Sequence, residues 1–138
     1  MNLILRNVLA VIVGILVGSL ANMALVTAGG ILIAPPAGVD PTNMDSIKAS
    51  IHLFEAKHFL FPLLAHSAGC LVGGSVASLI AASRRMVLAL VVGTFFLLGG
   101  IVASFMIPAP KWFITVDLLI SYIPMAWIGW KLSRKDRG

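Results

Sequence analysis

His66 and Asp117 are ionisable side chains that lie inside long apolar stretches of this 138-residue sequence. An ionisable group is costly to bury in a membrane, so its presence there indicates a functional site and calls for a partner. An imidazole bonded to a carboxylate is held in one orientation, and histidine changes its charge near neutral pH. The sequence therefore predicts a His66–Asp117 pair that carries protons, binds a small polar ligand or coordinates a cation.

Three uncharged polar side chains lie on the helix faces where this pair is expected. Asn22 and Ser104 share the small-residue sides of their helices, and Ser121 falls within about 60° of Asp117. At about 1.5 Å of rise per residue, Asn22 and Ser104 fall in the outer half of the membrane, as do His66 and Asp117. We expect Asn22, Ser104 and Ser121 to complete the hydrogen bonding of a small polar cavity open to the outside.

The same pair also has a purely structural interpretation. A buried histidine–aspartate contact holds helices in register, and removing one partner of a buried pair costs about 3–5 kcal/mol. Such a clamp would be retained without any chemistry. The sequence therefore leaves two functions open. The first is transport or small-ligand binding, and the second is a structural or accessory membrane subunit in which His66–Asp117 is a packing clamp.

A further set of potential ligands, His52, Glu55 and His58, precedes the second apolar stretch. Imidazole and carboxylate groups suit zinc, so these residues with His66 define a third alternative, a metal-dependent membrane enzyme. The spacing counts against it. Two ligands on one metalloprotease helix are four residues apart, whereas His52 and His58 are six apart and diverge by about 120°. We expect solvated interfacial residues here, no cofactor and no catalytic residue.

Four long apolar segments must position these side chains. The chain is 59% hydrophobic and 11% charged, whereas soluble proteins carry roughly 25% charged residues. A membrane-spanning helix needs about 20 mainly apolar residues. The segments that qualify are residues 8–30, 59–82, 86–107 and 111–131. The sequence predicts one all-α integral membrane domain, residues 1–138, in which four transmembrane helices form an antiparallel bundle.

The longest connection is predicted to carry a short amphipathic helix over residues 41–57, outside the membrane. Met44, Ile47, Ile51 and Phe54 recur at helical spacing and form an apolar stripe. A helix of this kind lies in the membrane interface or covers the end of the bundle.

The basic residues predict the orientation of the chain. Seven basic residues lie at one set of helix ends: Arg6, Arg84, Arg85, Lys131, Arg134, Lys135 and Arg137. Three lie at the other set of ends, Lys48, Lys57 and Lys111, and there acidic residues offset their charge. The positive-inside rule then places both termini and the turn at residues 83–86 in the cytoplasm, for a multi-pass protein of a bacterial-type inner (plasma) membrane. The net charge of +5 is explained by topology, so we expect a lipid bilayer and no nucleic acid as partner. We interpret the first apolar stretch as an uncleaved spanning helix.

Small residues repeat along one face of at least three predicted spans, as in Gly14-x3-Gly18. This pattern favours close helix packing and a homo-oligomer. In size and charge layout the chain resembles small four-span bacterial membrane proteins. Its first span lacks the glutamate of the small multidrug resistance exporters, and the arginine-bearing helix motifs of the microsomal glutathione-transferase-like family are missing. No residue role is carried over from either family.

Overall fold

The computed structural model describes residues 1–135, and all of the regular structure in that range is helical. The elements are α1 (Leu3–Leu32), α2 (Met44–Ser50) with a short 3-10 turn (Ile51–Leu53), α3 (Lys57–Ile80), α4 (Arg85–Met106), α5 (Lys111–Ile120) and α6 (Ile123–Lys135). The predicted fold class is confirmed: four long apolar spans pack antiparallel, with a short helix between the first and the second.

The spans agree with the predicted segments, although the first is longer at both ends. Within the described residues, the helical segments long and apolar enough to cross a membrane are Leu3–Leu32, Lys57–Ile80, Arg85–Met106 and Lys111–Arg134, the last of which comprises α5 and α6. The first begins near residue 3 rather than 8 because the Asn2 side chain accepts a hydrogen bond from the Ile4 N–H at 2.9 Å and caps the helix. Such a cap satisfies one of the backbone donors that a helix start leaves unpaired.

The amphipathic helix is shorter than the predicted residues 41–57. Asn43 caps it, since its side-chain oxygen accepts hydrogen bonds from the backbone N–H groups of Asp45 and Ser46 at 2.9 and 3.2 Å. Before this cap, Asp40 accepts two hydrogen bonds from Thr42 and forms a turn. The side-chain hydrogen bond from Thr42, helped by the backbone one, holds the pKa of the Asp40 carboxyl below its ordinary value. Asparagine and aspartate favour such local bonds over a continuing helix.

Helix α3 lies at the centre of the bundle. It packs against α1 on one side and α6 on the other, and it also contacts α4 and α5. Small residues allow this close approach. A Cβ atom added to Gly14 would lie 2.7 Å from the Gly73 carbonyl oxygen, and one added to Gly73 would lie 2.8 Å from the Gly14 carbonyl oxygen. The backbones of α1 and α3 are therefore in direct contact, which fixes the rotation of α3 and of the side chains it carries.

The fourth span is not one continuous helix. Helix α5 ends at Ile120, Ser121 and Tyr122 form a turn, and α6 begins directly afterwards. Pro124 accounts for the break, because proline has no N–H to donate to the carbonyl four residues earlier and its ring clashes with that group. Ser121 and Tyr122 are almost completely buried at this break. A turn carrying two polar side chains is thus placed inside the bundle.

The two ends of the bundle differ in structure. The loop end carries the α1–α3 connection and the α4–α5 turn, and the terminal end carries the start of α1, the α3–α4 turn and the end of α6. At the terminal end, the Asn7 side-chain oxygen accepts hydrogen bonds from the N–H groups of Ala82 and Ser83, at 2.9 and 3.3 Å. The Asn7 amide also donates to the Ser83 hydroxyl at 2.9 Å. The first helix therefore holds the α3–α4 turn in place.

Candidate functional site

His66 of α3 and Asp117 of α5 are in direct contact. The Nδ1 atom of His66 lies 2.8 Å from Oδ1 of Asp117. The Asp117 side chain is only 6% exposed, whereas that of His66 is 29% exposed. The pair thus joins a buried carboxylate to an imidazole that is still partly accessible.

Tyr122, at the break in the fourth span, bonds to both members of the pair. Its hydroxyl donates to Oδ2 of Asp117 at 2.9 Å, and its oxygen lies 3.1 Å from Nδ1 of His66. The rings of Tyr122 and His66 stack, with centroids 5.7 Å apart and planes inclined by 26°. We call these three residues the central cluster.

The hydrogen bonds of the central cluster assign the proton on His66. The hydroxyl proton of Tyr122 is directed at Asp117, so the Tyr122 oxygen can only accept from the imidazole. With Asp117 ionised, and therefore only an acceptor, Nδ1 carries a proton and donates it to Asp117. The other ring nitrogen, Nε2, has no hydrogen-bond partner within residues 1–135. His66 is consequently anchored through one nitrogen and available through the other.

The charge of the central cluster depends on that second nitrogen. With Nε2 unprotonated, an ionised Asp117 leaves one uncompensated negative charge in an apolar interior, which is costly. With Nε2 protonated, imidazolium and carboxylate form a neutral pair. The net charge of the cluster therefore depends on whether Nε2 carries a proton.

Two of the predicted polar residues bond elsewhere. The Ser121 hydroxyl is completely buried and accepts a hydrogen bond from Ser67 at 3.1 Å. The Ser104 hydroxyl donates to the Ile101 carbonyl of its own helix at 2.6 Å, although Ser104 lines a cavity together with His66 and Asp117. The structure therefore brings Ser104 near the central cluster without a bond to it, and it pairs Ser121 with Ser67.

Asn22 faces His66 from the opposite helix. Its Cβ atom packs on α3, 3.2 Å from the position that a Cβ on Gly69 would occupy. Asn22 is half-buried, and its amide makes no hydrogen bond to any of residues 1–135. It lines one cavity together with His66 and Tyr122. An amide donor and acceptor are thus free at this wall.

Two cavities meet at His66. The first, which we call the lateral cavity, has a volume of about 500 Å³ and includes Asn22, His66, Phe95, Leu98, Val102 and Tyr122 in its lining. Leu98 and Val102 come from α4 and are more than half exposed. The lateral cavity therefore opens on the side of the bundle that a bilayer would cover. The second, which we call the roofed cavity, has a volume of about 310 Å³ and includes Ile47, Ile51, Phe59, His66, Phe113 and Asp117.

The three residues of the metal alternative lie outside these cavities or are already bonded. Nδ1 of His58 accepts from the Glu55 N–H at 2.8 Å, so Nε2 carries the proton and donates to the Ala34 carbonyl at 3.2 Å. The Glu55 carboxylate lies 3.8 Å from the Lys57 ammonium. No group of three metal-binding side chains occurs in the described part of the chain. The structure does not bring His52, Glu55 and His58 together around one point.

Tyr122 and Ser67 are the polar partners that sequence reasoning missed. Tyr122 is the single tyrosine of the sequence, and it follows Asp117 by five residues, about 140° away on a continuous helix. Tyr122 lies in the turn between α5 and α6, and from there its hydroxyl reaches the carboxylate. The proline was the available signal, because it predicts an interrupted helix.

No protein-family model, curated protein or solved structure matches the chain. The class of protein is therefore defined by the fold itself. By the length and composition of its helices, this is a multi-pass membrane protein with four spans.

Proposed function

We propose that this protein binds a small ligand, for transport or sensing, at the central cluster of His66, Asp117 and Tyr122. The observation that carries the proposal is the free Nε2 atom of His66, which has no partner in residues 1–135 although its ring lines two cavities. The contacts that hold the helices in register use only Nδ1, so Nε2 is left to bind a ligand. Asn22 adds a second free polar group at the same place.

The orientation of the chain is part of the proposal. The charge distribution supports a plasma-membrane protein with both termini in the cytoplasm and the loop end outside. His66 follows His58, near the start of α3, by eight residues, about 12 Å of helix. The central cluster then lies in the outer half of the membrane, and a ligand reaches it from outside or from the outer leaflet. Repeated small residues also support a homo-oligomer, which light scattering of the purified protein tests.

The structural clamp remains the second candidate function. One specific observation favours it: both oxygens of the buried Asp117 carboxylate already have partners, one on α3 and one at the α5–α6 break. The cluster thus ties two elements together and would stabilise the bundle even without a ligand. A metal-dependent enzyme has no comparable support, because both ring nitrogens of His58 are bonded to the backbone and the Glu55 carboxylate lies beside Lys57.

The test is whether the free nitrogen of His66 exchanges protons with solvent. In a His52→Gln, His58→Gln variant, His66 is the single histidine, and ¹⁵N NMR in lipid nanodiscs reports both of its ring nitrogens. We expect the Nε2 signal to titrate reversibly while Nδ1 stays protonated by virtue of its bond to Asp117. An Nε2 signal that does not respond across the pH range in which the bundle stays folded would contradict the proposal and favour the clamp.

A further inference from the structure

The roofed cavity is a small apolar space with one carboxylate in its wall. The connection between α1 and α3 contributes Ile47, Ile51 and Phe54 to the lining, and Asp117 lines it from α5. Its volume of about 310 Å³ lies at the lower end of the roughly 300–1,000 Å³ of small-molecule sites. The cavity therefore suits a compact ligand rather than a long chain.

Three phenylalanines from different elements meet in this wall. The ring centroid of Phe59 lies 5.0 Å from that of Phe113 and 6.2 Å from that of Phe54. Asp117 follows Phe113 by four residues on α5, so the carboxylate lies on the same helix face, one turn further into the bundle. Aromatic faces attract cations most strongly where water is excluded, and alkylated ammonium groups are the ligands that such sets of rings bind.

The charges around the cavity distinguish between classes of ligand. Its described lining contains His58, His66 and Asp117 as ionisable groups and no lysine or arginine. Both ring nitrogens of His58 are already bonded. An anion would meet the buried carboxylate without a fixed positive charge to offset it, whereas a cation would find a counter-ion.

We infer that the roofed cavity binds a compact organic cation, such as an alkylated ammonium ion, with Asp117 as its counter-ion and Phe54, Phe59 and Phe113 around its apolar groups. This inference rests on the proposed binding role of the central cluster. It goes further by naming the class of ligand, and it places that ligand in the roofed cavity rather than the lateral one.

The same geometry couples binding of the cation to release of a proton from His66. The groups that face His66 are Asp117 from α5, Tyr122 from the α5–α6 break and Asn22 from α1, while α4 contributes only uncharged residues and Cys70 lies one turn further along α3. A bound cation adds one positive charge beside a pair that is neutral when His66 is protonated. Neutrality returns when Nε2 releases its proton to water. One cation is therefore exchanged for one proton.

The direction of the pH dependence follows from this exchange. Binding favours the unprotonated form of His66, so the affinity for the cation rises with pH while His66 is protonated in the free protein. The limiting slope for release of one proton is about tenfold per pH unit. At higher pH, where His66 is already unprotonated in the free protein, the affinity for the cation no longer changes with pH.

Isothermal titration calorimetry of the full chain in uncharged lipid nanodiscs tests the ligand class. The probe is benzyltrimethylammonium, and its control is neopentylbenzene, which has the same shape with carbon in place of the charged nitrogen. We expect saturable binding of the cation and on the order of tenfold weaker binding of the neutral molecule. Repeating the titration in buffers of different ionisation enthalpy measures the released proton, which we expect to disappear in His66→Gln.

Two further variants distinguish loss of the binding site from loss of the folded structure. Asp117→Asn should weaken cation binding more than tenfold, and Phe113→Leu, which keeps an apolar wall, should weaken it severalfold without affecting the neutral molecule. Phe95→Leu is the matched control, because Phe95 lines the lateral cavity and not the roofed one, so its cation affinity should equal that of the parent protein.

The outcomes separate this inference from the proposed function. Equal affinities for the cation and for neopentylbenzene would overturn the inference, as would cation binding without proton release at any pH. Absence of binding by either probe, with the Nε2 signal of His66 still titrating, would overturn the inference and leave the proposed function standing. A non-titrating Nε2 signal would remove both.

Discussion

The Tyr122 hydroxyl donates to the Asp117 carboxylate at 2.9 Å across the break between α5 and α6. This bond leaves the other carboxylate oxygen to His66, so the tyrosine determines which face of Asp117 the imidazole meets. Because this bond uses the hydroxyl proton of Tyr122, Nδ1 of His66 must be the donor in the contact between His66 and Tyr122. The arrangement of a donor, a buried carboxylate and a partly exposed imidazole therefore depends on a turn within a membrane span.

Tyr122→Phe is expected to lower the stability of the bundle and to shift the NMR signals of His66. The substitution keeps the stacked ring but leaves the buried Oδ2 of Asp117 without its donor. An unsatisfied buried acceptor costs about 1–3 kcal/mol of unfolding free energy, measurable by reversible denaturation in mixed micelles. The ¹⁵N signals of the His66 ring should move as well, since the same carboxylate contacts Nδ1. An unchanged unfolding free energy and unchanged His66 signals would together contradict the role assigned to Tyr122.

Gly100→Ala is expected to disturb the central cluster, whereas Gly99→Ala is not. A Cβ atom at position 100 would collide with the hydroxyl group of Tyr122, while one at position 99 would meet nothing within 4 Å. Overpacking of this kind costs about 1–3 kcal/mol. The neighbouring substitution should be neutral or slightly stabilising, because alanine is the better helix former. Thermal unfolding in detergent, read with the His66 NMR spectrum, checks the pair, and equal behaviour of the two variants would argue against this contact.

Gly14→Ala is expected to separate α1 from α3. The added Cβ atom would lie 2.7 Å from the backbone oxygen of Gly73, and a backbone atom cannot move aside as a side chain can. We expect a loss of about 1–3 kcal/mol of unfolding free energy. Gly30→Ala is the control on the same helix, since nothing lies within 4 Å of a Cβ there. If the two variants unfold alike, the direct backbone contact between α1 and α3 is not important for stability.

Cysteine labelling should report the proposed orientation. Cys70 is the single cysteine and is buried, so Cys70→Ser provides a background for one introduced thiol. Ala49→Cys lies on the exposed α1–α3 connection and Ser83→Cys on the exposed α3–α4 turn. In intact cells, a membrane-impermeant maleimide should label Ala49→Cys and spare Ser83→Cys, which should react only after the cells are opened. The reverse pattern would show that the loop end faces the cytoplasm.

Much of the fold could be predicted from the sequence because a membrane helix satisfies its own backbone hydrogen bonds. Length and apolar composition alone then define a span, without knowledge of its neighbours. The helical spacing of apolar residues located the amphipathic helix in the α1–α3 connection, but not its length, because its start depends on which side chain caps it. Asp40 accepts hydrogen bonds from Thr42 in a turn, and Asn43 caps the helix that begins at Met44.

The positions of His66 and Asp117 inside the apolar stretches were determined by the sequence, as was the expectation that they face each other. Which side chains bond to them was decided only by the tertiary structure. Ser121 lies on the predicted side of its helix and yet bonds to Ser67, while Tyr122 reaches Asp117 from the turn between α5 and α6. A hydrogen bond is made or lost over about 1 Å. Positions to that accuracy depend on helix rotation and register, which the backbone contact of Gly14 with Gly73 and the break before Pro124 set together.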